Sequence, residues 1–525
     1  MIRSILTVSS GTLASRLLGF GRDALVAALL GAGPVADAFL VAFQLVNVAR
    51  RLLAEGALNA ALIPAWLRVR ADQGDVAAAA FSGRVLGTIS FALIVATLLI
   101  GFAMPLLIAL LAPGFVGQAT LQLAVNDARL MLPYLAFAGP VTVMMGLLNA
   151  QQRFALTAFS PLLFNVALIV VMTALLAWRQ DAAFAALLMA GTVGVAGLLQ
   201  LLILVLRRGT ENFATPLLVS FDAEMRGFFR KAIPGMVANS GPQLLIVAGA
   251  IIASTTPSVV SWLYFANRLV ELPLGIVGTA MGTVLVPELT RAVRDNDHAA
   301  IVHAESRGLE LAIGLALPAT LGLMLLSEPI VRLLFEHGAF DATDTAATAQ
   351  ALLWLSLALP AHVLVKALSP AFFARDDTMT PLWATLTGLA VAIVAALMLG
   401  RFGAAGIAAA IALAAWGSAA VLIGRSAATF GFSLDGDARR RLPRILLAAL
   451  AMGGLLGLKA HVVLPWAEGA HGLAQAALLG VLIAGGVIIY AALLALLGVV
   501  SPTQALRAIR SSRSGDLRGQ APHGK

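Results

Sequence analysis

The sequence predicts an all-α polytopic membrane protein with about 14 transmembrane helices, arranged as two six-helix lobes related by a parallel pseudo-repeat plus two extra C-terminal helices. Three observations carry this prediction: the scarcity of charge, the length of the apolar runs and the placement of the basic residues. Of 525 residues, 60% are hydrophobic and 12% charged, and the mean hydropathy is +0.94. A soluble domain carries about 25% charged residues, so half that share over such a length excludes a soluble enzyme, a disordered chain and a fibrous one. Runs rich in alanine and leucine without strict alternation fit helices and not the strands of an outer-membrane barrel. A helix needs about 20 apolar residues to cross a bilayer core.

Taken in order, the first spans fall at 4–31 and 37–66, with Pro34 in the turn between them. Both are irregular because arginines and acids lie well inside them. Spans at 82–111, 128–150, 156–178 and 182–206 complete a first group, each bounded by charge. The second group comprises 230–254, 259–288, 308–327, 347–373, 380–400 and 402–424; its second member again carries internal charge. Two further spans follow at 443–459 and 472–500. The N-terminus does not read as a cleavable signal, because its apolar stretch is short and Arg16 follows without a small-x-small site. There is no cysteine, which excludes disulfides and thiolate chemistry.

Placing the N-terminus inside puts 24 of the 35 lysines and arginines in inner connections and five in outer ones. That asymmetry is the positive-inside pattern and predicts an integral membrane protein with both termini cytoplasmic. The net charge of +9 is therefore topology, spread over separate loops, and not a nucleic-acid surface.

An internal repeat orders the spans. Pro34 and Pro64 recur as Pro257 and Pro287, both pairs separated by 223 residues. A looser echo links NAQQRFALTAFSP (149–161) to FFARDDTMTP (372–381), each with an arginine in a tight loop and a proline opening the next helix. Six spans per repeat leave both halves in the same orientation, as in secondary transporters whose substrate site lies between the halves. The expected organisation is an N-terminal lobe (1–206), a linker (207–231), a C-terminal lobe (232–430), a final helix pair (431–506) and a basic tail (507–525). In the linker, DAEMRGFFRKA (222–232) has the make-up of an interfacial helix. Gly453 and Gly457 form a GxxxG pair that reads as helix packing.

Six basic residues remain inside spans: Arg16, Arg22, Arg50, Arg51, Arg268 and Lys366. An arginine at the bilayer centre costs about 2.5–3.5 kcal/mol on the insertion scale, so these side chains must face protein or a wet cavity. The acids set against them are Asp23, Asp37, Glu55 and Glu271, too few to neutralise all six. Arg51 and Glu55 are four apart, and Arg268 and Glu271 three apart, so each couple can pair on one helix face. Arg50 then stays free, and a helical wheel turns Asp23 away from Arg22. The structural alternative is that the six snorkel or stitch helices together. If they line a cavity, their planar, permanently charged forks suit an anionic ligand, a phosphate or diphosphate. There is no GxxxxGK[ST] loop and no HExxH or clustered metal pattern, so neither cofactor nor metal is expected.

The same residues carry a resemblance. SRLLGFGRDALVAALLGAGPVADAFLVAFQLVNVARRLLAEGALNAALIP (15–64) resembles the N-terminal signature of the MurJ/MviN lipid II flippase family. SWLYFANRLVELPLGIVGTAMGTVLVPEL (261–289), PIVRLLFEHGAF (329–340) and KALSPAFFARDDTMTP (366–381) are similar to further family motifs. The resemblance implies a member of the multidrug/oligosaccharidyl-lipid/polysaccharide exporter superfamily. Such a protein moves undecaprenyl-diphosphate-muropeptide to the periplasmic leaflet by alternating access, without covalent chemistry and alongside the peptidoglycan synthesis machinery. It implies substrate-binding roles for Arg16, Arg22, Arg50 and Arg268, and gate or ion-pair roles for Asp37, Arg51, Glu55 and Glu271. Ser15 and Lys366 become further cavity candidates, and the last two helices a groove for the lipid tail. Many relatives have an acid before the eighth-span arginine where this chain has Asn267, so no pair with the preceding residue is expected. Some relatives bind sodium through an acid on the seventh span, where this chain offers Asn239 and Gln243. The cavity arginines fit a flippase for another polyprenyl-diphosphate-linked oligosaccharide equally well; the N-terminal motif favours muropeptide.

Overall fold

A computed structural model describes residues 2–54, 57–206, 214–238, 249–281, 285–295, 297–373, 375, 377–430, 433–463 and 472–499. Among the described residues the secondary structure is helical, with no strand. The helices are α1 (Ile2–Leu30), α2 (Pro34–Ala54), α3 (Ala57–Leu111), α4 (Ala119–Met131), α5 (Pro133–Ala150), α6 (Phe154–Trp178) and α7 (Ala182–Leu206). Then come α8 (Ala223–Ala238), α9 (Val259–Ala280), α10 (Val286–Arg294), α11 (His298–Leu325), α12 (Ser327–Phe335), α13 (Ala342–Ser356) and α14 (Ala358–Phe373). The last four are α15 (Met379–Leu399), α16 (Gly403–Phe430), α17 (Gly436–Val463) and α18 (Leu473–Leu496). Each of the fourteen sequence-predicted spans overlaps a described helix. Nine helical stretches among the described residues are long and apolar enough to cross a membrane, one of them running from Met379 to Thr429 through both α15 and α16. Length and apolarity alone thus do not establish the count of fourteen.

The differences from the expected boundaries have a common cause. Arg68, Arg70, Asp72 and Asp75 read as a loop between spans; helix extends into this stretch from both sides but is broken at Gly74, whose φ of 85° and ψ of 179° are non-helical and favour glycine, so Ala57–Leu111 is two helices meeting at a kink. Likewise α11 starts at His298, ten residues before the expected 308, because the Asp297 carboxylate accepts the Ala300 N–H and caps it. Charge marks where a helix leaves the apolar layer and need not end it at once, because helix backbone bonds are satisfied in water or lipid alike. Pro133 does end one: α4 stops before it and α5 begins on it.

The chain forms two compact units. The first comprises Met1–Arg268, Leu334–Ala351 and Leu389–Ala410. Its core joins Leu62, Trp66, Phe81 and Val85 of α3 to Met144 and Leu147 of α5 and to Met225 and Phe228 of α8. The second comprises Leu269–Leu333, Leu352–Gly388 and Ile411–Lys525. There α17 packs on α11: a Cβ at Gly453 would lie 3.1 Å from Leu321 and one at Gly457 3.5 Å from Leu325, so the GxxxG pair serves close packing. The Tyr490 hydroxyl of α18 donates to the Gly314 carbonyl (2.8 Å). Glu310, which the sequence reading had not set against a cation, faces Arg441 at 3.5 Å, and Glu305 faces Arg375 at 3.5 Å.

Candidate functional site

Two of the expected cavity residues, Arg22 and Arg268, meet in the first unit around one carboxylate. Asp23 on α1 is fully buried, and Arg22 beside it is 8% exposed. Arg22 Nη2 and Nε donate to Asp23 Oδ1 at 2.6 and 2.9 Å. This corrects the helical-wheel expectation that Asp23 turns away. The wheel orders Cβ directions, but a long arginine side chain carries its fork back across the 100° that separates neighbours. Arg268 on α9 approaches the other oxygen: its Nε lies 2.6 Å from Asp23 Oδ2, an ion pair without hydrogen-bond alignment. The Tyr264 hydroxyl, one helical turn earlier, donates to Oδ1 (3.1 Å).

A second layer fixes this node. Arg22 Nη1 donates to Asn165 Oδ1 on α6 (3.1 Å), and Asn165 Nδ2 donates to the Ser15 carbonyl (3.1 Å). The Arg22 guanidinium stands 4.9 Å from the Phe43 ring and 5.9 Å from Phe164, so aromatic faces take up part of its charge. Gly19 makes room for Arg268: a Cβ there would come within 2.8 Å of Arg268 Nη2. Gly19→Ala is therefore expected to push the guanidinium off Asp23. In a complementation assay it should cut activity by about tenfold or more, with a much smaller change in melting temperature, since the clashing atom ends a flexible side chain.

The other expected residues are placed as follows. Arg16 is exposed on α1, and Arg50 is half-buried on α2, near enough to Tyr134 for its charge to act on that hydroxyl. Arg51 is half-buried. Glu55 lies outside the described residues, as do Asn239 and Gln243. Glu271 is half-buried on α9 and belongs to the second unit. So does Lys366, which is exposed on α14 with Nζ where a Cβ at Gly278 would meet it at 3.2 Å. Asn267 is exposed, and Arg268 takes its counter-charge from Asp23 on α1 instead of from a preceding neighbour.

Asp37 is buried at the start of α2 and accepts from backbone donors: Ser258 N at 2.7 Å, Ser261 N at 2.9 Å and, closest, the Ser261 hydroxyl. It thus caps α9 from a different helix, and among the described residues no cation pairs with it. Ser258 sits at φ 65°, a costly conformation for a serine, next to this cap. Asp344 on α13 forms a second such clasp, accepting from Trp262 Nε1 (3.0 Å) and Ala32 N (3.2 Å). Beside it Gly31 and Gly338, both at φ 63°, cross so closely that a Cβ on either would strike the other turn's backbone at 2.5 or 2.2 Å. Phe265, Phe335 and Phe340 pack ring to ring beneath. Asp23, Asn165, Tyr264, Trp262 and Asp344 were not singled out as site residues from the sequence. Asp23 alone carried a signal, as an acid inside an apolar span. Among the described residues no three His, Asp or Glu side chains are grouped to hold a metal.

The family model described as "Lipid II flippase MurJ" matches residues 26–476. A probable lipid II flippase MurJ of Rhizobium tropici is 34% identical over 520 residues, covering 98% of this chain and 97% of its own. In solved structures, a lipid II flippase MurJ in an inward closed conformation has a TM-score of 0.77 at 21% identity, covering 94% of this chain and 98% of that one. An inward-facing multidrug resistance MATE transporter of the MOP superfamily has a TM-score of 0.66 at 15% identity, covering 84% of this chain and 98% of its own. The matched family residues contain the Arg50, Asp37 and Arg268 positions, and the relative aligns over nearly the whole chain, so this chain belongs to the lipid II flippase MurJ family.

Proposed function

We propose that this protein carries lipid II, the undecaprenyl-diphosphate-linked muropeptide, from the cytoplasmic to the periplasmic leaflet by alternating access, without covalent chemistry. The observation that carries the reading is the node in which Arg22 and Arg268 share one buried carboxylate, Asp23. Arg22 and Arg268 bring two guanidinium forks to one buried carboxylate inside apolar helices, a concentration of cationic groups that favours an anionic ligand. A diphosphate is that anion, and guanidinium forks bind its oxygens in pairs. Arg16 and Arg50 complete the substrate-binding set, with Ser15 and Lys366 as further cavity residues. Asp37, Arg51, Glu55 and Glu271 act at gates or in ion pairs. The lobes are 1–206 and 232–430, joined by 207–231, and helices within 431–506 hold the lipid tail. Exposed aliphatic side chains along α17 and α18, among them Leu447, Leu450, Leu458, Val487 and Ile488, support that last role. Both termini, including the basic tail 507–525, lie in the cytoplasm, where the excess of arginine places them.

The test is depletion of the protein with separate complementation by Arg16→Ala, Arg22→Ala, Arg50→Ala and Arg268→Ala, scored by lipid II exposed at the outer leaflet. Each variant is expected to lose at least about tenfold in exposure, the value of one charge-assisted phosphate contact. Normal exposure in all four would remove the phosphate-clamp role. Exposure that persists after complete depletion would remove the flippase reading itself.

A further inference from the structure

The segment leading into α8 is bound to α3 and presents a face that nothing among the described residues covers. Between Ala214 and Phe221 it runs along α3, whose Gly83 and Gly87 admit it: a Cβ at either would meet the Pro216 or Leu218 carbonyl oxygen at 2.2 or 2.5 Å. Thr88 Oγ1 donates to the Ser220 carbonyl (3.2 Å) and accepts the Ser220 N–H (3.0 Å). Arg84 spans to Asp222 (2.7 Å) and Glu224 (2.6 Å). The Met225 N–H, the Ser220 hydroxyl and Arg84 together hold the Asp222 carboxyl below its ordinary value. Met225 and Phe228 of α8 are buried on the α3 core.

With the backbone fixed this way, Leu217, Leu218, Val219 and Phe221 are left between 49% and 67% exposed. Four adjacent large apolar side chains in water are unfavourable, by about 25 cal/mol per Å² of apolar surface. One turn along α3 from Thr88, its outward face becomes continuously apolar with Phe91, Ile94, Leu98 and Phe102, so the exposed run borders a lipid-facing band. On α8, Arg226 and Arg230 lie four residues apart on one exposed flank, while Glu224 faces the other way, toward Arg84. Both acids stay exposed but are paired with Arg84, and the opposite flank of α8 is basic.

We propose that residues 217–221 together with Arg226 and Arg230 form a docking surface for the anionic phospholipids of the adjoining leaflet. The apolar side chains enter the acyl boundary and the two guanidiniums hold lipid phosphate. Charge complementarity and continuity with the lipid-facing band of α3 select this occupant over a protein partner. The surface ties the segment between the proposed lobes to the bilayer plane. Which leaflet it meets rests on the orientation proposed above; the recognition of anionic lipid does not.

The chain has no cysteine, so Phe221→Cys accepts a single polarity-sensitive fluorophore on the full-length protein. The label is expected to be quenched by phosphatidylcholine spin-labelled near the headgroup and shielded from aqueous iodide. Adding phosphatidylglycerol to phosphatidylcholine vesicles should shift its emission saturably. In an Arg226→Gln/Arg230→Gln background the midpoint should rise by about tenfold or more, with melting temperature unchanged because both side chains are exposed. If the double variant fails to fold, each single variant is expected to raise the midpoint by roughly threefold to fivefold. Free access of iodide to the label, or a midpoint unchanged by the arginine substitutions, overturns the proposal. So does displacement of phosphatidylglycerol by an added polyprenyl diphosphate, which would make this a substrate surface and leave the arginine tests above unaffected.

Discussion

Asp23→Asn is expected to abolish lipid II exposure and to destabilise the protein by about 3–5 kcal/mol, the cost of leaving a buried ion pair with one partner removed. Two guanidiniums depend on this one carboxylate, and it is fully buried. The asparagine keeps the shape of the site, so packing around α1 is retained and the loss isolates the charge. Thermal unfolding of the purified protein followed by tryptophan fluorescence measures it. Arg22→Gln in the same chain should recover part of the lost stability, because it removes one of the orphaned cations. The two substitutions should therefore be clearly non-additive. A melting curve for Asp23→Asn that overlays the wild type would refute the shared-carboxylate node.

Asp37→Asn is expected to loosen the start of α9 and to open the site around Ser15 from the outer side. The carboxylate accepts from two backbone N–H groups and one hydroxyl. Hydrogen bonds to a charged acceptor contribute about 1.5–3 kcal/mol each, and the amide both loses the charge and turns an NH2 toward a donor. The expected loss is about 3 kcal/mol. A single Ser15→Cys reporter should then react with a membrane-impermeant thiol reagent at least about tenfold faster than in the Asp37 protein. Ser261→Ala removes the hydroxyl only and leaves both N–H donors, so its effect should be distinctly smaller. Equal reactivity in all three proteins would show that Asp37 holds no closed state.

Much of this architecture is legible in the sequence for a physical reason: a bilayer imposes helices and penalises charge, so composition and the spacing of arginines report directly on topology. The six basic residues inside spans stood out because so little else there is charged. Residues 239–248 of the expected seventh span, Glu55 and the basic tail lie outside the described residues. Elsewhere the helices outrun the apolar spans: Arg70 lies in helix up to the break at Gly74, and Glu305 lies within α11. Both are helical, since the helix backbone is indifferent to whether its side chains leave the lipid.

What the sequence by itself determined is therefore the class of fold, the positions of the apolar spans and the small set of cations inside those spans that the chain must accommodate. Local rules of period and charge reach that far because they act within one helix. Only the tertiary structure decided which acid meets which arginine. Asp23 serves Arg22 next to it and Arg268, 245 positions away on α9, while Asp37 serves backbone amides and, among the described residues, pairs with no cation. Those pairings follow from how long side chains reach between packed helices in a medium where every unsatisfied polar group is costly. The spacing along the chain holds no record of that reach.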